Sequence, residues 1–156
     1  MYQRTLGDLR CEEVMSRSPH AVEFGSSLSE AWGLMRRHHI KALPVVDRAR
    51  RVVGIITMAD FLKHAQIDEY MNLSERIKHV WQPSGLSHGD KPEVVGQVMT
   101  RRVRVASAQS YLAELLPLFS QTGHHHLPVI DSENRLIGIL TQTDVVSALA
   151  KAVRHV

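Results

Sequence analysis

Two β-branched apolar runs, Leu43-Pro44-Val45-Val46 and Val52-Val53-Gly54-Ile55-Ile56, flank the polar segment Asp47 to Arg51 and predict a β-hairpin. Ahead of it, Leu28, Ala31, Trp32, Leu34 and Met35 recur at helical spacing behind Gly25-Ser26-Ser27. With serines available as N-caps and Glu30 in the first turn, that stretch predicts a helix. Further back, His20 to Phe24 predicts a short strand, and Leu9 to Met15 a helical or turn-like lead. A second helix is predicted from about Thr57.

The whole pattern returns 84 positions later. Gly54-Ile55-Ile56-Thr57-Met58-Ala59-Asp60 recurs as Gly138-Ile139-Leu140-Thr141-Gln142-Thr143-Asp144, and Met15, Leu28, Glu30, Pro44 and Asp47 recur as Met99, Leu112, Glu114, Pro128 and Asp131. No insertion or deletion is needed between these anchors. Self-similarity at fixed offset through apolar and polar positions alike means two copies of one supersecondary unit, which ordinarily bury their apolar faces together. The second copy predicts a strand at Val103 to Ala106, a helix over Leu112 to Phe119 that Pro117 should bend or loosen, and a hairpin from Leu127 to Leu140. Each lead is expected to deliver its methionine to its own copy's core.

Between the copies, Met71, Leu73, Ile77 and Val80 have helical spacing within 68–80, and Pro83 to Pro92 reads as the linker. The expected organisation is unit 1 over 10–66, a helical segment and linker over 67–93, and unit 2 over 94–150.

At 156 residues, 44% hydrophobic and 22% charged, the chain is globular in composition, with room for one ordinary domain or two small units sharing a core. Aromatics are only 5%, so aliphatic side chains must fill that core. A formal charge of +3 favours anionic ligands slightly but falls short of the basic density and aromatic interleaving of a nucleic-acid binder. The one cysteine, Cys11, cannot form an internal disulfide, which fits a reducing, cytoplasmic compartment, and its amphipathic setting predicts a small buried apolar residue. The longest apolar runs fall far below the roughly 18 residues of a membrane span, and the N-terminus shows no signal-peptide pattern.

The candidate chemistry sits in the repeated Thr-x-x-Asp. Thr57 and Thr141 are placed at a strand-to-helix junction, where backbone N–H groups lack intrahelical partners and the helix dipole attracts anions such as phosphate. Asp60 and Asp144, three residues on, share the threonine's side of the helix and offer acceptor oxygens suited to the vicinal hydroxyls of a ribose. The same spacing is also nearly the capping box, which needs no ligand. No nucleophile-base-acid set, metal-ligand spacing or Walker-type glycine loop appears, so no catalytic residue is assigned.

With Val-Met-Ser/Thr at the start, Leu-Pro-Val-Val/Ile-Asp in the middle and Gly-Ile-x-Thr-x-x-Asp at the end, twice in order, the chain resembles the cystathionine-β-synthase (CBS) domain in tandem. The resemblance covers about residues 10–66 and 94–150. It implies an α/β (α+β) fold of two β-α-β-β-α CBS units packed with pseudo-two-fold symmetry as a Bateman module, with clefts between them. It also implies regulation rather than catalysis: no required cofactor, an adenine nucleotide or S-adenosylmethionine as regulatory ligand, and a homodimer. By that resemblance the ligand contacts extend beyond Thr57, Asp60, Thr141 and Asp144 to Ala21, Lys41, Ala42 and Pro44 in the first unit. In the second they extend to Val105, His125, His126 and Pro128. Many family members carry a hydroxyl residue where this chain has Ala21 and Val105, so base contacts there would fall to the backbone.

His124-His125-His126 reads as loop residues leading into a strand, or as a phosphate-facing or pH-sensitive group; three adjacent rings in an extended segment cannot easily converge on one metal ion. The basic clusters Arg36-Arg37-His38-His39, Arg48 to Arg51 and Arg101 to Arg104 read as solvated faces. The lines Trp32-Met35 and Leu115-Phe119 read as helix contacts. The His-His-His-Leu-Pro and Ile-Lys-Ala-Leu-Pro runs and the Lys-Pro-Glu-Val-Val-Gly linker end also resemble the C-terminal CBS pair of HPP-family integral membrane proteins. That likeness implies a cytosol-facing part of a longer chain with a covalently attached membrane domain. The leading expectation is a module that senses an adenosyl nucleotide and passes its occupancy to a partner. The alternative is a structural homodimerisation module without a nucleotide.

Overall fold

The computed structural model describes residues 6–64, 93–120 and 125–154. The helix expected over 68–80, the linker at 83–92 and His124 lie outside them. In chain order the described elements are α1 (Cys11–Val14), β1 (Ser16–Arg17), β2 (Val22–Glu23), α2 (Leu28–Arg37), β3 (Ala42–Val46), β4 (Val52–Thr57), α3 (Met58–His64), β5 (Ala106–Ser107), α4 (Leu112–Ser120), β6 (His126–Ile130), β7 (Leu136–Thr141) and α5 (Gln142–Arg154). Short 3-10 turns occupy Leu6–Asp8 and Val95–Gln97. The fold class is mixed α and β. The described residues divide into two compact units, one within 20–48 and 53–103, the other within 1–19, 49–52 and 104–156.

In the 20–103 unit the strands lie in the order β2-β3-β4. β2 runs parallel to β3, Val22 opposite Val45, and a parallel pair needs a crossover. That crossover is α2. It begins where the Ser27 Oγ accepts a hydrogen bond from the Glu30 N–H at 3.1 Å, the N-cap that the serines predicted. Leu28, Ala31 and Met35 turn one face into a core with Leu43, Val45, Ile56 and Phe61, and Trp32 meets the Phe61 ring edge-on at 5.6 Å.

In the 104–156 unit the order is β1-β7-β6-β5, with β6 and β7 antiparallel and β5 parallel to β6. Leu112, Leu115 and Phe119 of α4 face Leu127, Val129, Leu140 and Val145. Pro117 does not interrupt α4, which is helical from Leu112 to Ser120. The carbonyl that loses its donor belongs to Ala113, and both residues are on the exposed side, where water can take the place of the missing N–H. The strand expected at Val103 to Ala106 forms instead at Ala106 and Ser107, 84 positions from Val22 and Glu23, leaving Arg104 and Val105 exposed.

The methionine leads correct the expectation most. Met15 belongs to the core of the 104–156 unit, and Met99 packs against the core of the 20–103 unit. Backbone pairing is the cause. Ser16 lies opposite Ile139 and Thr100 opposite Ile55, so each lead completes the ladder beside the other copy's last strand and carries its methionine there. Cys11 is fully buried in the same core as Met15, as its setting predicted. Among the described residues no helix is long and apolar enough to cross a membrane.

Candidate functional site

Each unit carries one Thr-x-x-Asp element, built where a sheet strand passes directly into a helix. In the 20–103 unit β4 ends at Thr57 and α3 begins at Met58. The Asp60 Oδ2 accepts from the Thr57 N–H at 2.9 Å and from the Thr57 hydroxyl at 3.1 Å, while the Asp60 N–H donates to Thr57 Oγ1 at 3.3 Å. These bonds form a capping box in which aspartate stands in for the usual glutamate. The other carboxylate oxygen, Oδ1, accepts from the Thr100 hydroxyl at 3.1 Å. Thr100 itself is fixed by two backbone bonds to Ile55, at 2.8 and 3.0 Å.

In the 104–156 unit β7 ends at Thr141 and α5 begins at Gln142. The Asp144 Oδ2 accepts from the Thr141 N–H at 2.9 Å, and the Asp144 N–H donates to Thr141 Oγ1 at 3.2 Å. Here the box stops. Among the described residues the Thr141 hydroxyl has no acceptor and Asp144 Oδ1 no donor.

The approaches to β3 and β6 meet these junctions through the backbone. The Lys41 carbonyl accepts from the Met58 N–H at 3.1 Å, and the His125 carbonyl from the Gln142 N–H at 3.1 Å, so both helices begin against the residue before the Leu-Pro strand. His126 is the direct cross-strand neighbour of Thr141 and is half-buried. His125 is exposed, its Nδ1 3.2 Å from Gln142 Oε1. Lys41 is exposed, whereas Ala42, Pro44 and Pro128 are buried within their strands. Ala21 and Val105 each immediately precede the short parallel strand of their unit, half-buried and 37% exposed respectively. Thr100 is the residue that reading by motif missed; its position as Ser16's copy, beside Gly54-Ile55, was the available signal.

Two further features border these elements. Burial pushes the Cys11 thiol up to about 11, the charges of Asp144 and Glu12 adding to the effect. His20 and His38 stack at 3.7 Å between ring centroids, one residue before Ala21. Among the described residues no group of three or more His, Cys, Asp or Glu converges as a metal site.

Comparison with known proteins shows the family. The CBS domain matches residues 11–66 and again 95–151. The chain is 29% identical over 144 residues to CBSX2, a chloroplastic CBS domain-containing protein of Arabidopsis thaliana, covering 87% of this chain and 60% of that protein. It is 31% identical over 136 residues to the inosine-5'-monophosphate dehydrogenase of Methanocaldococcus jannaschii, covering 87% of this chain and 23% of the enzyme. The chain thus spans only part of the length of either relative. A crystal structure of CBSX2 in complex with AMP aligns with a TM-score of 0.72 at 27% identity, over 93% of this chain and 98% of that one.

Proposed function

The chain belongs to the CBS domain family, and on that footing we propose that it is a regulatory, non-catalytic module that binds an adenosyl nucleotide at one or both of its Thr-x-x-Asp elements and passes the occupancy to a partner domain or protein. In this reading residues 10–66 and 94–150 are the two CBS units, joined by 67–93. The observation that carries it is the Thr141–Asp144 junction, where among the described residues a hydroxyl proton and a carboxylate oxygen are left over at the start of a 13-residue helix. A ribose diol needs acceptors and a phosphate needs donors, and the junction supplies both. The AMP complex of CBSX2 supports the choice of ligand class. Lys41, Ala42 and Pro44, with His125, His126 and Pro128, line the approach to the base, and Ala21 and Val105 contribute backbone. A ligand shifts the module only by its differential affinity for two arrangements. A covalently attached membrane domain, implied by the HPP likeness, is one recipient of that shift.

Thermal unfolding against adenosyl and guanosyl nucleotides tests the reading. A ligand at 100 times its dissociation constant adds about 2.7 kcal/mol. For a chain of this size that raises Tm by roughly 5–11 °C with AMP. A flat panel would leave the second reading, homodimerisation without a nucleotide. That reading is favoured by Leu62 and Val146, repeat-equivalent residues exposed at 37% and 57% on the two C-terminal helices, with Leu149 at 37% beside Val146. Sedimentation then decides it, since a dimer indifferent to nucleotide is its signature.

A further inference from the structure

The two Thr-x-x-Asp elements share a backbone frame and differ in what their side chains have left to offer. Ser16 lies opposite Ile139 as Thr100 lies opposite Ile55, at positions 84 residues apart in each case. Yet Thr100 donates to Asp60 Oδ1, whereas Ser16 makes no hydrogen bond to Asp144. Thr57 spends its hydroxyl proton on Asp60 Oδ2, whereas Thr141 does not spend its proton on Asp144. In the 20–103 unit the box is closed on itself; in the 104–156 unit, among the described residues, it is open on one oxygen and one hydroxyl.

We propose that the two elements are inequivalent: the Thr141–Asp144 element is the adenosyl-nucleotide site, and Thr100 is a specificity-determining residue that latches Asp60 against the ribose. This rests on the nucleotide-binding reading above and adds to it the assignment of the site and the residue that enforces it. A ribose 2′,3′-diol presents two O–H donors. Asp144 Oδ1 can accept both without any protein hydrogen bond breaking. At Asp60 the diol must displace or share with the Thr100 hydroxyl, in a bond to an ionised acceptor, the stronger class. A loss of that size corresponds to a weakening of about ten-fold.

The latch is held in place by more than its own bond. Two backbone bonds to Ile55 fix the Thr100 main chain, and branching at Cβ restricts its χ1. Serine at position 16 lacks the methyl that restricts the rotamer. The surroundings differ too: Gln142 and the His125 ring form a polar edge beside Asp144, where Met58 and Lys41 occupy the repeat-equivalent positions.

The test is calorimetry of the full chain with AMP, repeated with 2′-deoxy-AMP, on the wild type and on Asp60→Ala, Asp144→Ala and Thr100→Val. The expected result is one tight site per chain. Asp144→Ala weakens it by about ten-fold or more, and Asp60→Ala changes it by less than about two-fold. Loss of the 2′-hydroxyl weakens binding to the wild type but not to Asp144→Ala. Thr100→Val, which keeps side-chain shape and backbone pairing, adds or tightens a second binding event by about ten-fold. Because alanine also removes a helix cap, Asp144→Asn and Asp60→Asn, which keep one acceptor oxygen, guard against misfolding as the cause. Two equal sites unaffected by Thr100→Val, or a tight site lost with Asp60, would overturn the inequivalence while leaving nucleotide binding intact. The absence of any AMP binding in all variants would overturn both.

Discussion

The thioether of Met15 rests directly on the Cα of Gly138, so closely that a Cβ at position 138 would overlap its sulfur. The carbonyl of Ser16 would stand 3.0 Å from the same Cβ. Gly54 repeats the arrangement with Met99 Sδ and the Thr100 carbonyl, each 2.8 Å from where a Cβ would be. The glycine that opens each Gly-Ile-x-Thr-x-x-Asp motif is thus explained by close approach of the other copy's lead, three residues along the strand from the candidate site.

Gly138→Ala is therefore expected to destabilise the chain by about 1–3 kcal/mol through overpacking. A urea melt measures it. The double variant with Met15→Ala should lose less than the sum of the two single variants, because the residues share one space. Strict additivity would show that the contact does not matter.

Cys11 should resist thiol reagents in the native chain at pH 8 and react fully in denaturant, being buried with its pKa pushed up to about 11. The folded value lies above the ordinary value of 9.0, so the stability tied to this group is complete below pH 9 and declines as pH rises toward 11. Since the Asp144 charge contributes to the shift, Asp144→Asn should lower the native thiol's titration midpoint. An unchanged midpoint would place the carboxylate too far away to act on the thiol.

His38 should titrate below 6.5, because desolvation, the stacked His20, and the charges of Arg37 and His39 all disfavour its protonated form. A folded value below the unfolded one means that the unfolded chain binds protons more readily, so His38 lowers stability as pH drops below about 6.5. Proton NMR reads the midpoint directly. Replacing His20 with Gln should move it upward.

Arg50 and Asn134 occupy equivalent turn positions and share a φ of 63°. Asparagine tolerates the left-handed region far better than arginine does. Arg50→Asn is accordingly expected to stabilise by about 0.5–1 kcal/mol, and Asn134→Ala to destabilise by about 1 kcal/mol. Thermal melts of both variants, with opposite signs, check the pair together.

Ser27 capping α2, the two hairpins and the boxed Thr-x-x-Asp were all legible along the chain, because each depends on residues within a few positions of one another. Periodicity fixes which face is apolar, and a serine or threonine three residues before an acidic group meets its partner whenever the helix forms. The fixed offset of 84 residues added the pairing of one copy's elements with their equivalents in the other. Pro117 leaves α4 helical from Leu112 to Ser120 because the orphaned Ala113 carbonyl is on the exposed side, and exposure is not written in spacing. Local pattern was equally silent on the destination of Met15 and Met99. Either core could accept a methionine, and the choice went to the strand edges whose unpaired backbone groups β1 and Thr100 satisfy. The same choice set Thr100 beside Asp60, 40 residues away, and set Ser16 opposite Ile139 with no hydrogen bond to Asp144. Sequence determined two matching Thr-x-x-Asp elements at helix starts; long-range strand pairing decided which of their donors and acceptors are already taken, since a hydrogen bond between distant residues exists only once the backbone has brought them within 3 Å or so.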